Sequence, residues 1–227
     1  MFGDVEGVIF DLDGTLIDSM WVWEAVDEEF LGRYGYNVPK DLGRKVEGMS
    51  FTETAEYFSR HFELPLTVEE IKDCWKQMAY EKYCHQVPLK QGAAPFLKWL
   101  SRQGIRLGIA TSNSRELVDR ALESLGIAGY FHSIATACEV QAGKPAPDIY
   151  LKVAADLGLK PGECLVFEDV PAGILAGKAA GMRVCAVEDQ ASLWLEDEKR
   201  SLADYYITDY DGLKREIITD STEEQDG

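Results

Sequence analysis

From about residue 88 onward, short apolar runs typical of β-strands alternate with amphipathic segments typical of α-helices. The predicted strands are residues 106–112, 133–137, 163–169, 183–188 and 205–208, and the predicted helices are residues 93–102, 114–125, 148–157 and 172–180. The runs at 107–110 and 164–167 are almost continuously apolar, which favours burial on both faces of a parallel sheet. The sequence therefore predicts an α/β fold, a doubly wound parallel sheet (a Rossmann-like core) with helices on both faces.

Polar residues and glycines mark the predicted helix ends. Asn113 with Glu116 three residues later has the spacing of a capping box, so we expect Asn113 to cap the helix that follows. Gly126, Gly158 and Gly181 stand where three helices should stop.

Residues 18–87 break this rhythm, because they contain several helical patterns and no convincing strand. Two capping-box patterns, Ser50 with Glu53 and Thr67 with Glu70, open the later helices. Helices inserted directly after the first strand would stand over the strand ends as a cap. We predict an α/β core of residues 1–17 and 88–218, an inserted α-helical cap domain of 18–87, and an acidic flexible tail of 219–227. The alternative is one continuous α/β domain with an irregular opening.

Composition limits the partners and the compartment. The net charge of −17 argues against nucleic acid or an anionic membrane as a partner, since both require clustered Lys and Arg. No apolar stretch approaches the roughly 18 residues of a membrane helix, and no basic region precedes the first apolar run. The five cysteines are widely spaced and odd in number. We expect a cytoplasmic protein, monomeric, with no nucleic-acid or membrane partner.

The first apolar run, residues 8–10, ends in Asp11-Leu12-Asp13-Gly14-Thr15. Side chains two apart in a strand share a face, so these carboxylates repel each other unless a cation or a proton lies between them. A hard divalent metal is the simplest remedy, and the glycine allows a sharp turn. The alternative is an ordinary strand end with an Asp cap and a turn.

Three further polar groups follow predicted strands. Thr111, Ser112 and Asn113 end the second strand beside a helix N-terminus, which favours an oxyanion. Lys144 lies in a proline-rich loop, and the acidic pair at 168–169 ends another apolar strand. Singly, these are also what ordinary caps, surface loops and solvated acids look like. Together they lie where open α/β sheets place their sites, at the carboxyl ends of parallel strands.

In order, spacing and chemistry, these groups resemble the four motifs of the haloacid dehalogenase superfamily of phosphotransferases. The resemblance covers nearly all of residues 5–209. Residues 143–150 and 167–181 are specifically similar to the β-phosphoglucomutase and phosphoglycolate phosphatase-like branch, which carries a helical cap after the first motif. The resemblance therefore implies a core with a cap, as the helical pattern of 18–87 also suggests.

The resemblance implies that Asp11 is a nucleophile that forms an aspartyl-phosphate, and that Asp13 protonates the leaving alcohol and later deprotonates the attacking water. It implies that Mg²⁺ is held by Asp11, the main-chain carbonyl of Asp13 and Asp169, with Glu168 binding it directly or through water. The implied phosphate-binding residues are Thr111, Ser112, Asn113 and Lys144.

Two positions depart from the mutases of this branch. Those mutases carry a His where this chain has Trp23 and an Arg where it has Phe51. The His and the Arg help to orient and bind a sugar with a second phosphate. We treat Trp23 and Phe51 as candidate substrate-binding residues, with packing inside the cap as the alternative. We expect a Mg²⁺-dependent phosphatase of a small phosphorylated metabolite. The alternatives are a sugar-phosphate mutase and a non-catalytic protein that binds a phosphorylated metabolite.

Overall fold

The computed structural model describes residues 1–213, and within that part of the chain six parallel strands form one sheet. The strands are β1 (Gly7–Phe10), β2 (Arg106–Thr111), β3 (Ser133–Thr136), β4 (Cys164–Glu168), β5 (Arg183–Val187) and β6 (Tyr205–Ile207). The α-helices are α1 (Met20–Arg33), α2 (Leu42–Val46), α3 (Phe51–His61), α4 (Val68–His85), α5 (Ala93–Arg102), α6 (Arg115–Ser124), α7 (Asp148–Asp156), α8 (Pro171–Ala179) and α9 (Glu196–Leu202). The predicted tail, 219–227, lies outside the described residues.

The strand order is β3-β2-β1-β4-β5-β6, so β1 lies inside the sheet between β2 and β4. Val8 of β1 is in register with Leu107 on one side and Leu165 on the other. The chain runs outward from β1 to β3 and then returns to β4 on the opposite side of β1. Ligands of open α/β sheets bind at such a reversal, beyond the carboxyl ends of the strands.

Both faces of the sheet are covered because side chains alternate along each strand. Phe10 of β1 belongs to the core on one face, where its ring lies 6.2 Å from that of Phe96 on α5. Ile9 belongs to the core on the other face, together with Val153 of α7 and Ile174 of α8. The prediction of a doubly wound parallel sheet is confirmed.

Most of the predicted helix ends agree with the structure. The capping boxes that open α3 and α4 are both formed, with Ser50 and Thr67 as the N-caps. Gly126, Gly158 and Gly181 follow the ends of α6, α7 and α8 with positive φ angles of 67°, 68° and 79°. These glycines adopt the left-handed conformation that ends a helix at little steric cost.

The predicted cap of α6 is wrong. Ser114, not Asn113, is the N-cap residue, and its side chain makes no capping hydrogen bond. Asn113 instead accepts a hydrogen bond from the Ser114 N–H and donates from Nδ2 to the Asp13 carboxylate. The long-range bond to Asp13 replaces the local cap, and local spacing contains no information about such a bond.

Helices α1 to α4 lie between β1 and β2 in the chain and form an α-helical cap with its own aromatic core. In that core the Trp75 ring lies 4.8 Å from Phe58 and 5.7 Å from Phe30. The two connections to the sheet run side by side, because Ile17 and Leu89 form an antiparallel bridge. The exact domain boundaries at 17/18 and 87/88 remain a prediction. Among the described residues, no helix is both long and apolar enough to span a bilayer.

The cap lies directly over the strand ends. The Phe51 N–H donates to the Ser112 carbonyl at 2.9 Å, which ties the start of α3 to the residue after β2. The Ala172 N–H at the start of α8 donates to Glu47 Oε1 of the cap at 2.8 Å. The site described below is therefore covered by residues from both units.

Candidate functional site

Adjacent strands bring three carboxylates together. Asp11 follows β1, and its N–H donates to the Phe167 carbonyl of β4 at 3.0 Å, which extends the pairing of the two strands by one residue. Glu168 ends β4 and Asp169 follows it. In the described part of the chain, one carboxylate oxygen of each residue lies within 4.8 Å of the others, and all three residues are buried.

Lys144 inserts its ammonium group between two of these acids. Nζ lies 2.6 Å from Asp11 Oδ1 and 2.5 Å from Glu168 Oε1, and the side chain is 3% exposed. The Tyr150 hydroxyl also donates to Glu168 Oε1, at 2.7 Å. A Cβ atom at Gly173 of α8 would lie only 1.8 Å from Glu168 Oε1, so only glycine leaves room for this carboxylate.

The charges in this cluster do not balance. Burial raises the pKa of Asp11 to about 8, against the opposing effect of Lys144, and Glu168 adds to the rise. Burial also raises the pKa of Asp169 well above its usual range, with Glu168 and Asp11 contributing. For Lys144, burial alone would lower the pKa, but the two carboxylates outweigh it and the pKa is raised. One ammonium group for three carboxylates leaves a site suited to a further cation.

The ligand chemistry fits Mg²⁺. The cluster offers carboxylate oxygens, the ligands that this hard cation prefers, and it contains no sulfur or imidazole group. Thr15 Oγ1 donates to Asp169 Oδ1 at 3.0 Å, and Ser192 Oγ donates to the Asp169 main-chain oxygen at 2.8 Å. The buried Lys199 ammonium in turn donates to Ser192 Oγ at 2.9 Å. These bonds fix the position of Asp169, as partners beyond the ligands do in metal sites.

The Asp13 carboxylate lies outside this cluster and has donors of its own. Oδ1 accepts from Ser19 Oγ at 2.6 Å and from the Tyr83 hydroxyl, and Oδ2 accepts from Asn113 Nδ2 at 2.9 Å. Gly14, at φ 80°, makes the sharp turn that follows Asp13. The two aspartates of the first motif are therefore held by different sets of partners.

Three of the predicted phosphate-binding residues, Thr111, Ser112 and Asn113, lie at the end of β2 at the same edge of the sheet, and each already has a protein partner. Thr111 Oγ1 accepts from the Asn113 N–H at 3.1 Å. The Ser112 carbonyl accepts from the Phe51 N–H of the cap. The Asn113 amide donates to Asp13. Their assignment to phosphate remains a prediction.

Trp23 and Phe51 contact each other inside the cap, with ring centroids 5.9 Å apart. Phe51 is 6% exposed and also packs on Trp75 at 5.6 Å, as expected for a residue of the cap core. It borders a cleft of about 250 Å³ that lies between the cap, at Lys72 and Lys76, and the core, at Ser114 and Thr136. Trp23 is half-buried and lies 5.9 Å from the ring of Tyr83.

Sequence reasoning missed Tyr83 and Tyr150. Tyr83 follows Ile71, Trp75 and Ala79 at four-residue spacing along α4, and this pattern is the same as that of an ordinary buried helix face. Tyr150 is on the buried face of α7 in the same way. A polar hydroxyl at the end of an apolar stripe is the only signal that either residue offers.

Comparison with known proteins agrees with this geometry. The family model described as haloacid dehalogenase-like hydrolase matches residues 8–187. A probable pseudouridine-5'-phosphatase of Drosophila melanogaster is 33% identical over 218 residues, which cover 92% of this chain and 91% of that protein. Hexitol phosphatase A of Escherichia coli is 34% identical over 187 residues, covering 82% and 84% of the two chains.

Solved structures show the same fold. CbbY from Rhodobacter sphaeroides in complex with phosphate superposes with a TM-score of 0.81 at 24% identity, covering 91% of this chain and 95% of that one. A β-phosphoglucomutase from Clostridium difficile gives a TM-score of 0.79 at 22% identity, covering 97% and 98%. With its matched family model, close relatives and fold, the chain belongs to the haloacid dehalogenase-like hydrolases.

Proposed function

We propose that the protein is a Mg²⁺-dependent phosphatase that hydrolyses a small phosphorylated metabolite through an aspartyl-phosphate. The observation that carries the proposal is the separation of the two aspartates. Asp11 lies in a buried cluster with Lys144, Glu168 and Asp169, whereas Asp13 has its own set of donors. A nucleophile and a proton carrier need such different surroundings. The relatives named as phosphatases support the same reaction.

In the first step an Asp11 oxygen attacks phosphorus, and the bond from phosphorus to the ester oxygen breaks. The leaving oxygen takes the proton of Asp13, which must enter this step in its protonated form. In the second step Asp13, now a carboxylate, takes a proton from water while the water oxygen attacks the phosphorus of the aspartyl-phosphate. The bond from phosphorus to Asp11 breaks, which releases phosphate and restores the Asp11 carboxylate.

The remaining site residues would bind the metal ion, offset negative charge or bind the phosphoryl group. Mg²⁺ would be held by the carboxylates of Asp11 and Asp169 and by the main-chain carbonyl of Asp13, with Glu168 binding directly or through water. When bound, the ion neutralises part of the charge on the phosphoryl oxygens. Lys144 offsets the negative charge of the cluster. Thr111, Ser112 and Asn113 are the proposed hydrogen-bond donors to the phosphoryl oxygens. None of the five cysteines forms a disulfide in the described part of the chain, in keeping with the cytoplasmic compartment that we propose.

The test is a phosphate-release screen with Mg²⁺ over sugar phosphates, polyol phosphates, phosphoglycolate and nucleoside monophosphates, including pseudouridine 5'-phosphate. We expect turnover of at least one class and its loss in Asp11→Asn, which is nearly isosteric but is not a nucleophile. Turnover by Asp11→Asn near the parent rate, with contaminating phosphatase excluded, would refute the covalent route. Tight binding of a phosphorylated metabolite with no turnover would instead favour a binding protein.

The second candidate is a sugar-phosphate mutase, which the likeness to β-phosphoglucomutase favours. A mutase needs a cationic side chain that binds the distal phosphate. The indole of Trp23 and the phenyl ring of Phe51 carry no such charge. With β-glucose 1-phosphate and a trace of the 1,6-bisphosphate, we expect little glucose 6-phosphate. Isomer formation that outpaces phosphate release about tenfold, equivalent to about 1.4 kcal/mol in relative barrier, would establish the mutase.

A further inference from the structure

Tyr83 places a cap hydroxyl on the Asp13 carboxylate. It lies in the last turn of α4 and is 1% exposed. Its hydroxyl contacts Asp13 Oδ1, and Asn113 Nδ2 lies 3.0 Å from that hydroxyl and 2.9 Å from Asp13 Oδ2. The three side chains come from α4, from the end of β1 and from the end of β2. They therefore form one small network that crosses from the cap to the core.

The direction of each hydrogen bond in this network is fixed. Asn113 Oδ1 accepts from the Ser114 N–H at 2.7 Å, which orients the amide so that its NH₂ group points to Tyr83 and Asp13. Because that NH₂ group donates to the Tyr83 oxygen, the phenolic proton is directed at the Asp13 carboxylate. Ser19 Oγ supplies a third donor, at 2.6 Å. Asn113 belongs to the core, Ser19 lies close to the start of the predicted cap, and Tyr83 lies in the last helix of the cap.

We infer that Tyr83 is a positioning residue for Asp13, one that holds the carboxylate oriented while the cap covers the strand ends. The inference rests on the proposed function, in which Asp13 carries the proton in both steps. A cap that moves away from the core takes the Tyr83 hydroxyl with it, because α4 is part of the cap. Asp13 then keeps the Asn113 donor of the core but loses the Tyr83 donor on Oδ1. Proton transfer is thereby linked to the position of the cap.

The first test replaces the hydroxyl alone. Tyr83→Phe keeps the ring that packs on Trp23 at 5.9 Å and removes only the oxygen. We expect kcat for an alkyl phosphate to fall about 10- to 100-fold, the range for a lost hydrogen bond to a charged group, while KM stays within about twofold. The matched control is Tyr80→Phe on the same helix, whose ring lies under Arg120 at 5.9 Å, and it should retain parental kinetics. Urea unfolding of both variants verifies that each is folded.

A double-mutant comparison separates positioning from a general effect on structure. In an Asp13→Asn background, measured with an aryl phosphate whose departure needs little proton help, Tyr83→Phe should change kcat less than about twofold, because the group it orients is gone. The same loss in both backgrounds, or less than a threefold loss in the parent enzyme, would overturn the inference. If Asp13→Asn alone retained full activity on the alkyl phosphate, the proposed function would fail instead.

Discussion

Replacing Lys144 by methionine tests the electrostatics of the cluster. Its ammonium group lies 2.6 Å from Asp11 Oδ1 and 2.5 Å from Glu168 Oε1 and is almost fully buried. Methionine fills similar volume but leaves two buried acids without their cation. Removing one partner of a buried ion pair typically costs about 3–5 kcal/mol, so we expect this loss in the free energy of unfolding at pH 7 without metal.

The loss should grow at high pH. An acid whose folded pKa is raised destabilises the protein as pH increases from its ordinary pKa to the raised one, because the unfolded chain ionises first. For Asp11 this range runs from 3.8 to about 8 in the parent protein. Since Lys144 opposes the rise, its removal moves the upper limit higher. The variant should therefore lose about 1.4 kcal/mol more for each pH unit above pH 8.

The assay is urea unfolding in EDTA at pH 7 and pH 9, with both proteins followed by tryptophan fluorescence and far-UV circular dichroism. The matched control is Lys178→Met, which breaks the Lys178–Asp204 pair at 2.6 Å, with side chains 39% and 31% exposed. It should cost less than about 1 kcal/mol, equally at both pH values. A loss below about 1 kcal/mol for Lys144→Met, or one that does not grow at pH 9, would refute the reasoning.

Three further outcomes follow from the same geometry. Asp13→Asn should slow alcohol release in the first turnover most for alkyl phosphates and least for aryl phosphates, and equal losses in rapid-quench single-turnover assays would count against its acid role. Mg²⁺ should raise the melting temperature more at pH 8 than at pH 5.5, because Asp11 and Asp169 must lose protons to bind it; an equal rise in thermal scans would contradict the metal site. Burial, aided by Glu24, raises the pKa of Asp27 in the cap to about 7, so stability is lost as pH rises toward 7. Asp27→Asn should therefore be more stable than the parent at pH 8 by about 1–3 kcal/mol in urea, and no gain would contradict the assignment.

The sheet was predictable because its signals are local. The continuously apolar run at 164–167 favours a strand buried on both faces, and the left-handed glycines at 126, 158 and 181 end helices through their own backbone. The meeting of Asp11 with Asp169 was predictable as well, since the carboxyl ends of parallel strands share one edge. These inferences need only the order of the elements.

The role of Asn113 and the contacts of Tyr83 were not predictable from local sequence, because the first depends on how the ends of β1 and β2 meet and the second on where the cap lies. The capping-box spacing after Asn113 is real, but a bond to Asp13, a hundred residues earlier in the chain, uses the amide instead. Tyr83 occupies a regular position on a buried helix face. Its partner is set by the angle between α4 and the sheet, which no local pattern encodes.

The central claim is that the phosphoryl group passes through Asp11, and trapping the intermediate tests it most directly. Asp13→Asn lacks the base for the second step, so with an aryl phosphate and Mg²⁺ it should accumulate the aspartyl-phosphate. Rapid acid quench, proteolysis and mass spectrometry should place one phosphoryl group on the peptide that contains Asp11. The Asp11→Asn/Asp13→Asn double variant should show no such peptide. Phosphate release without a phosphorylated Asp11 peptide at any time, or a phosphoryl group on another residue, would contradict the account.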